Sequence, residues 1–103
     1  MNKRLQMLEQ MTQGGNADAF AWYGLAMEYR REARLADAAA TFQSLRERQP
    51  DYLPQYLMAG QLLLELERKT EAEEWLRAGI ELAGRVGDGK ALGELQEALE
   101  GVN

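Results

Sequence analysis

Glutamates are the only side chains in this sequence dense enough to suggest chemistry. Glu65, Glu67, Glu71, Glu73 and Glu74 crowd into one short run, and neighbouring carboxylates can act as general acid and base or as ligands for a hard cation. Their spacing supports neither use. Adjacent Glu73 and Glu74 point in different directions on a helix, no closed pocket is implied that would drive their pKa values apart, and there is no Asp-rich loop to fold around an ion. The run reads as a solvated rim. A second cluster, Arg30, Arg31 and Arg34, stands where a helix ends, and cations there complement the macrodipole; the functional alternative is that they select acidic partners. The rest of the catalytic repertoire is missing. There is no histidine and no cysteine, and Ser44 is the only serine, with no base to activate it. The sequence therefore predicts a non-catalytic chain with no metal and no cofactor.

Composition narrows the rest. A chain of 103 residues makes one domain. Leu and Ala abound, with 16 and 15 copies, against two Val, one Ile and three Thr, so good helix formers dominate and sheet formers are scarce. The predicted class is all-α. Net charge is −5, and it is uneven: residues 1–50 hold seven Lys/Arg against six Asp/Glu, residues 51–103 hold five against eleven. An acidic chain with no basic stripe argues against nucleic acid and against anionic membrane surfaces. No signal-like or membrane-spanning apolar run is visible, so the expected location is the cytoplasm.

Breakers divide the chain into a short amphipathic stretch and five full helices. The short stretch, residues 2–13, carries Leu5, Leu8 and Met11 on one side and stops at Gly14-Gly15. Asn16 or Asp18 can cap the next helix, which runs to about Arg31. A connection at Ala33 and Arg34 leads to a helix from Leu35 to Arg48, ended by Pro50. Asp51 can cap the following one, with Pro54 in its first turn, to about Leu66. Thr70 with Glu73 has the spacing of a capping box and opens a helix to about Val86. Gly87 can terminate it in the left-handed conformation, and Asp88 caps the last, to about Leu99. Short connections make consecutive helices antiparallel.

These elements repeat. Trp22 and Tyr56 are separated by one fixed interval, and the same interval separates Ala26 from Gly60, Ala38 from Ala72, Phe42 from Leu76 and Leu45 from Gly79. Trp22, Leu25, Ala26 and Tyr29 share one helix face at i, i+3, i+4, i+7. Large residues at the ends of that face supply buried area. The small one between them, facing Ala38, lets a second helix approach, and Phe42 fills the space beyond. The interval is the 34-residue helix–turn–helix period, and with Trp22, Leu25, Ala26, Tyr29, Ala38, Phe42 and Pro50 the first unit resembles the tetratricopeptide repeat. The second unit matches less fully, through Tyr56, Ala59, Gly60, Leu63, Ala72 and Leu76, and carries Gly84 in place of the closing proline. Neither unit has the glycine usual in the inner turn; Ala33 and Glu67 stand there.

The resemblance implies a right-handed α-α superhelix over nearly the whole chain, in the manner of small stand-alone bacterial proteins with two repeats and a cap. Residues 2–13 would be the second half of a truncated repeat, 19–52 and 53–86 the two repeats, and 88–100 a capping helix. In that cap Leu92, Leu95 and Leu99 form the inner stripe, shifted by about two residues, and Lys90, Glu94, Glu97 and Glu100 an outer polar face. It also implies a concave surface made by the first helix of each unit, here Phe20, Tyr23, Met27, Arg30 and Arg31, then Leu57, Met58, Gln61, Leu64 and Glu65. Well-known members grip a C-terminal carboxylate with Lys and Asn there; Tyr23, Met27 and Met58 occupy the corresponding places, so that clamp is absent. Three uses of the apolar strip stay open: cover by the protein itself, for instance the last helix; a peptide or helix from a partner; or pairing of two copies. The expected function is that of a protein–protein interaction scaffold or adaptor, the alternative a homo-oligomerisation module.

Overall fold

The computed structural model describes residues 1–102. Among them are six helices and no strand: α1 (Lys3–Gln13), α2 (Ala19–Arg31), α3 (Leu35–Arg48), α4 (Pro54–Glu65), α5 (Lys69–Val86) and α6 (Gly89–Glu100). They form two compact units, Met1–Tyr52 with α1–α3 and a second from Leu53 onward with α4–α6.

In the first unit α2 packs against both α1 and α3. Asn2 caps α1 by accepting from the Leu5 N–H, and Asp18 caps α2 by accepting from Ala21. Leu5 and Leu8 meet Leu25, with Tyr29 alongside. The third member of the α1 stripe is Thr12 rather than Met11: Thr12 is buried, its hydroxyl donating to the Leu8 and Glu9 carbonyls, while Met11 is 47% exposed. The residues 5, 8 and 12 hold one face as well as 5, 8 and 11 do, and the position of α2 decides between them. Ala26, Ala38, Phe42 and Leu45 are fully buried between α2 and α3. Trp22 is only half-buried; the Arg48 guanidinium lies 4.6 Å from its ring centre. Pro50, read as part of the repeat core, is exposed; it follows the C-cap Gln49, where a proline blocks further helix.

In the second unit α5 packs against α4 and α6, and α4 also touches α6. Tyr56, Ala59, Leu62, Leu63, Ala72, Trp75, Leu76, Leu82, Ala83 and Leu95 are buried. Two sequence expectations about caps fail here. The α4 N-cap is Leu53 and not Asp51, and Pro54 as first residue removes one orphan N–H. The α5 N-cap is Arg68, ahead of the Thr70–Glu73 capping box, which lies inside the helix.

The inner turns explain why Arg68 begins α5. Helices α2 and α4 end in the same Schellman arrangement. Ala33 N–H donates to the Arg30 carbonyl at 2.9 Å and Arg34 N–H to Tyr29 at 2.8 Å. Glu67 donates to Leu64 at 3.0 Å and Arg68 to Leu63 at 2.8 Å. Ala33 and Glu67 sit at φ 60° and 59°, the left-handed region that costs an L-residue roughly 1–2 kcal/mol. Arg34 and Arg68 then pair with Asp37 and Glu71 at 2.9 and 2.7 Å. The turn the family makes with glycine is thus made here under strain. Ala33→Gly and Glu67→Gly are each expected to stabilise the chain by about 0.5–1 kcal/mol, because the relieved strain exceeds the added unfolded-state entropy. Urea melts measure this, and a loss of stability in both variants would contradict it.

Candidate partner-binding surfaces

The face of α2 expected to form the groove is uneven. Phe20 is 71% exposed, and Met27 and Arg30 are half-buried. Tyr23 is not an open groove residue. Its ring lies 6.2 Å from Phe42 at 65° and 5.5 Å from Tyr52 at 55°, so it ties α2 to α3 and to the segment after it. Burial, then the neighbouring Tyr52, raises its hydroxyl pKa, against a smaller opposing effect of Arg30. A charge placed at Tyr23 would therefore damage packing as well as any binding.

The arginine cluster is largely engaged at home. Arg31 lies 3.9 Å from Glu28. Arg34 pairs with Asp37 and stacks 4.6 Å above Tyr29. Glu28, buried to 7% exposure, also accepts from Asn2 at 2.7 Å and faces Arg4 at 3.4 Å. It lies in an open cleft of about 580 Å³ lined by Met1, Asn2, Lys3, Arg4, Glu28, Arg31 and Glu32. The carboxylate at its centre offsets the cations, so the cleft is no simple anion site. Local dipole and ion-pair roles account for Arg31 and Arg34.

Tyr29 links α1 to α2 by donating to Glu9 Oε2 at 2.5 Å. Its hydroxyl pKa is pushed up to about 12, first by burial and then by the Glu9 carboxylate it donates to. A phenol that folding holds in its neutral form binds its proton more tightly in the native state. That stabilisation is whole below the unfolded value near 10 and is lost as pH rises through about 12. Tyr29→Phe is expected to cost about 1–2 kcal/mol at neutral pH and to flatten this alkaline loss. Urea melts at about pH 7 and pH 11 test it through the ordinary titration range of phenols; an unchanged alkaline slope in the variant would refute the assignment.

In the second unit the first-helix face is walled. Leu57 and Gln61 of α4 face Glu94, Glu97 and Ala98 of α6 across a cleft of about 370 Å³. Glu94 and Glu97 are exposed, as expected of the polar face of the cap, and they also edge this cleft. Met58 and Leu64 are half-buried, and Glu65 is exposed. The acidic run is dispersed: Glu71 holds Arg68, with its pKa lowered by that hydrogen bond, and Glu73 faces Arg77 at 4.0 Å. Among the described residues no group of His, Cys, Asp or Glu could hold a metal ion, and no helix is long and apolar enough to cross a membrane.

Sequence reasoning missed two features of these surfaces. The recurrence of Arg34 and Asp37 one repeat later, as Arg68 and Glu71, was a readable signal for the paired turns. That Glu94 and Glu97 edge a cleft shared with α4 depends on where α6 docks and had no local signal.

Comparison with solved structures places this geometry. A tetratricopeptide repeat domain protein from Salinibacter ruber, solved in solution, is 36% identical to the chain with a TM-score of 0.79, over 84% of this chain and 87% of that one. A crystal structure of the tetratricopeptide repeat domain protein from the same organism gives 36% identity and a TM-score of 0.78, over 84% and 96%. A Bordetella parapertussis protein matches in fold alone, at 20% identity and a TM-score of 0.82, over 99% and 89%. No protein-family model and no curated protein matches the chain.

Proposed function

The chain belongs to the tetratricopeptide repeat domain proteins, and on that premise we propose that it is a non-catalytic interaction module that holds a segment of another protein against its first-helix faces. The observation that carries this is the α4–α6 cleft. Leu57 and Ala98 give it apolar surface, Gln61 offers an amide, and Glu94 and Glu97 stand one helical turn apart on its wall. Neither glutamate has an ion-pair partner among the described residues. The cleft suits a segment that places an apolar side chain beside a Lys or Arg. The apolar part supplies affinity and the charge supplies orientation and on-rate. The surplus of acidic residues over 51–103 favours the same partner chemistry at longer range.

The test uses fluorescent peptides in two matched sets, one with Leu or Phe beside Lys/Arg and the other with the same residues beside Asp/Glu. The basic set is expected to bind, and to bind less tightly as salt rises from about 50 to 300 mM. Glu94→Lys with Glu97→Lys is expected to weaken binding at least tenfold without changing helical content. Equal binding of both sets, or full binding by the reversed-charge variant, would remove the cleft from consideration.

A further inference from the structure

The two walls of the α4–α6 cleft differ in how firmly they are held. The α4 wall belongs to a close helix pair. Leu76 of α5 fills the space above Gly60, Gly79 lies under the Tyr56 Cβ, and the Trp75 and Tyr56 rings are 5.6 Å apart. The α6 wall has less to hold it. Leu95, seated over Gly79, is the one buried residue of the helix; Val102, just beyond it, is buried as well. Leu92 and Leu99 are half-buried. Among the described residues no α6 side chain makes a hydrogen bond or ion pair to another helix, and the Asp88 carboxylate serves its own helix by accepting from the Ala91 N–H at 3.0 Å. The hold of α1 on α2 is firmer. There Asn2 donates to Glu28 at 2.7 Å, Arg4 faces Glu28 at 3.4 Å and Glu9 accepts from Tyr29 at 2.5 Å.

The residues of α6 loosen it further. Gly89 and Gly93 lie within the helix, and a Cβ on either would meet nothing within 4 Å. No close approach requires them, and each lowers helix propensity relative to alanine. Just ahead, Gly87 takes φ 78°, a conformation that glycine adopts without strain. A Cβ there would also face open space. Gly87, Asp88 and Gly89 therefore form a joint about which α6 can turn without disturbing packed neighbours.

We infer that α6 is a hinged wall of the cleft: it opens as a unit about Gly87–Gly89 while the α4–α5 pair stays folded, and a bound segment holds it shut. A local opening costs only the contacts that it breaks, here those of Leu95 and Val102 with their apolar neighbours, and not the stability of the whole unit. Opening uncovers Leu57 and Gln61 on α4 and admits a side chain to them. Closing returns Glu94 and Glu97 to the edge of the cleft, beside the cation of that segment. Only the closed state offers the apolar surface and both carboxylates together, so a partner binds it in preference and shifts the population towards it. Holding by a partner rests on the cleft being the binding site proposed above; the hinge itself does not.

Native-state hydrogen exchange of the whole chain in low urea is the test. In the free chain the amides of residues 92–100 are expected to open at least roughly tenfold more often than the core amides of α4 and α5, and with a shallower urea dependence, because less surface is exposed. They should also share one opening constant. Equal opening and equal urea dependence in all three helices would mean a single cooperative block and overturns the hinge. So does a gradient that rises steadily towards residue 100, which is fraying and not a turn about Gly87–Gly89. The apolar–Lys/Arg peptide, added at about ten times its Kd, should then lower the opening of 92–100 about tenfold. A peptide that binds and leaves that opening unchanged overturns the holding by a partner. Absence of binding would instead refute the cleft as a binding site, a failure seen independently of the opening measured in the free chain.

Discussion

Phe42→Glu is expected to erase the cooperative melt of residues 1–52. Phe42 is fully buried, between the small residues that let α2 and α3 approach, and edge-on to the Tyr23 ring at 6.2 Å. Truncating such a side chain to alanine costs about 3–5 kcal/mol through lost transfer energy and the cavity left behind. A carboxylate in the same place adds the desolvation of a charge with no partner nearby. Total stabilities of small domains are about 5–15 kcal/mol, so the alanine variant should melt early and the glutamate variant should not fold. Trp22 provides the control. It opens the repeat pattern, yet it is half-buried, and its Nε1 has no hydrogen-bond partner. Trp22→Phe gives up indole area but no hydrogen bond, and is expected to cost about 1 kcal/mol or less. Thermal and urea melts followed by circular dichroism order the three variants. A Trp22→Phe loss as large as that of Phe42→Ala would mean that the indole, not the phenyl ring, anchors the hairpin.

The contrast between Trp22 and Phe42 marks how far sequence reasoning reached. Helix count, breakers and the repeat period were legible because each rests on a local property: glycine, proline, or an apolar residue every third or fourth position. The Asp18 and Asp88 caps and the left-handed Gly87 were legible for the same reason. The Schellman turns were not. Their usual sign is glycine, and Ala33 and Glu67 adopt the conformation because the flanking helices demand it. The candidate site was read less well. Spacing puts Tyr23 on the free side of α2, but spacing knows nothing of Tyr52, which comes from beyond α3 and closes over it. Likewise a helical wheel puts Met11 beside Leu8, while the placement of α2 picks Thr12. The Tyr23 and Met11 misses both involve a side chain whose environment is set by residues outside its own helix.

The glycines of α5 separate local propensity from packing within one helix. Gly79 and Gly84 both lie inside α5, and propensity alone predicts that alanine stabilises either by about 0.5–1 kcal/mol. Their surroundings differ. A Cβ on Gly84 meets nothing within 4 Å, whereas one on Gly79 falls 2.6 Å from the Tyr56 Cβ and 2.9 Å from Leu95 Cδ2. The Tyr56 Cβ is fixed to the α4 backbone, so α4 itself must move, and overpacking of this kind costs about 1–3 kcal/mol. Gly84→Ala is therefore expected to raise the urea midpoint, and Gly79→Ala to lower it by a net of about 1–2 kcal/mol after the propensity gain. Gly60→Ala should fall between them. Its added Cβ meets Leu76 Cδ2 at 2.6 Å and Cγ at 2.8 Å, atoms of a fully buried side chain whose displacement costs packing but does not require the backbone of another helix to move. Because Gly79 also receives Leu95, its alanine variant should loosen α6. Faster hydrogen exchange over residues 89–100 than in Gly84→Ala would show that loosening. If Gly79→Ala instead stabilised the chain with α6 unchanged, the close approach of α4 and α6 over Gly79 would be wrong, and with it the wall that Glu94 and Glu97 form.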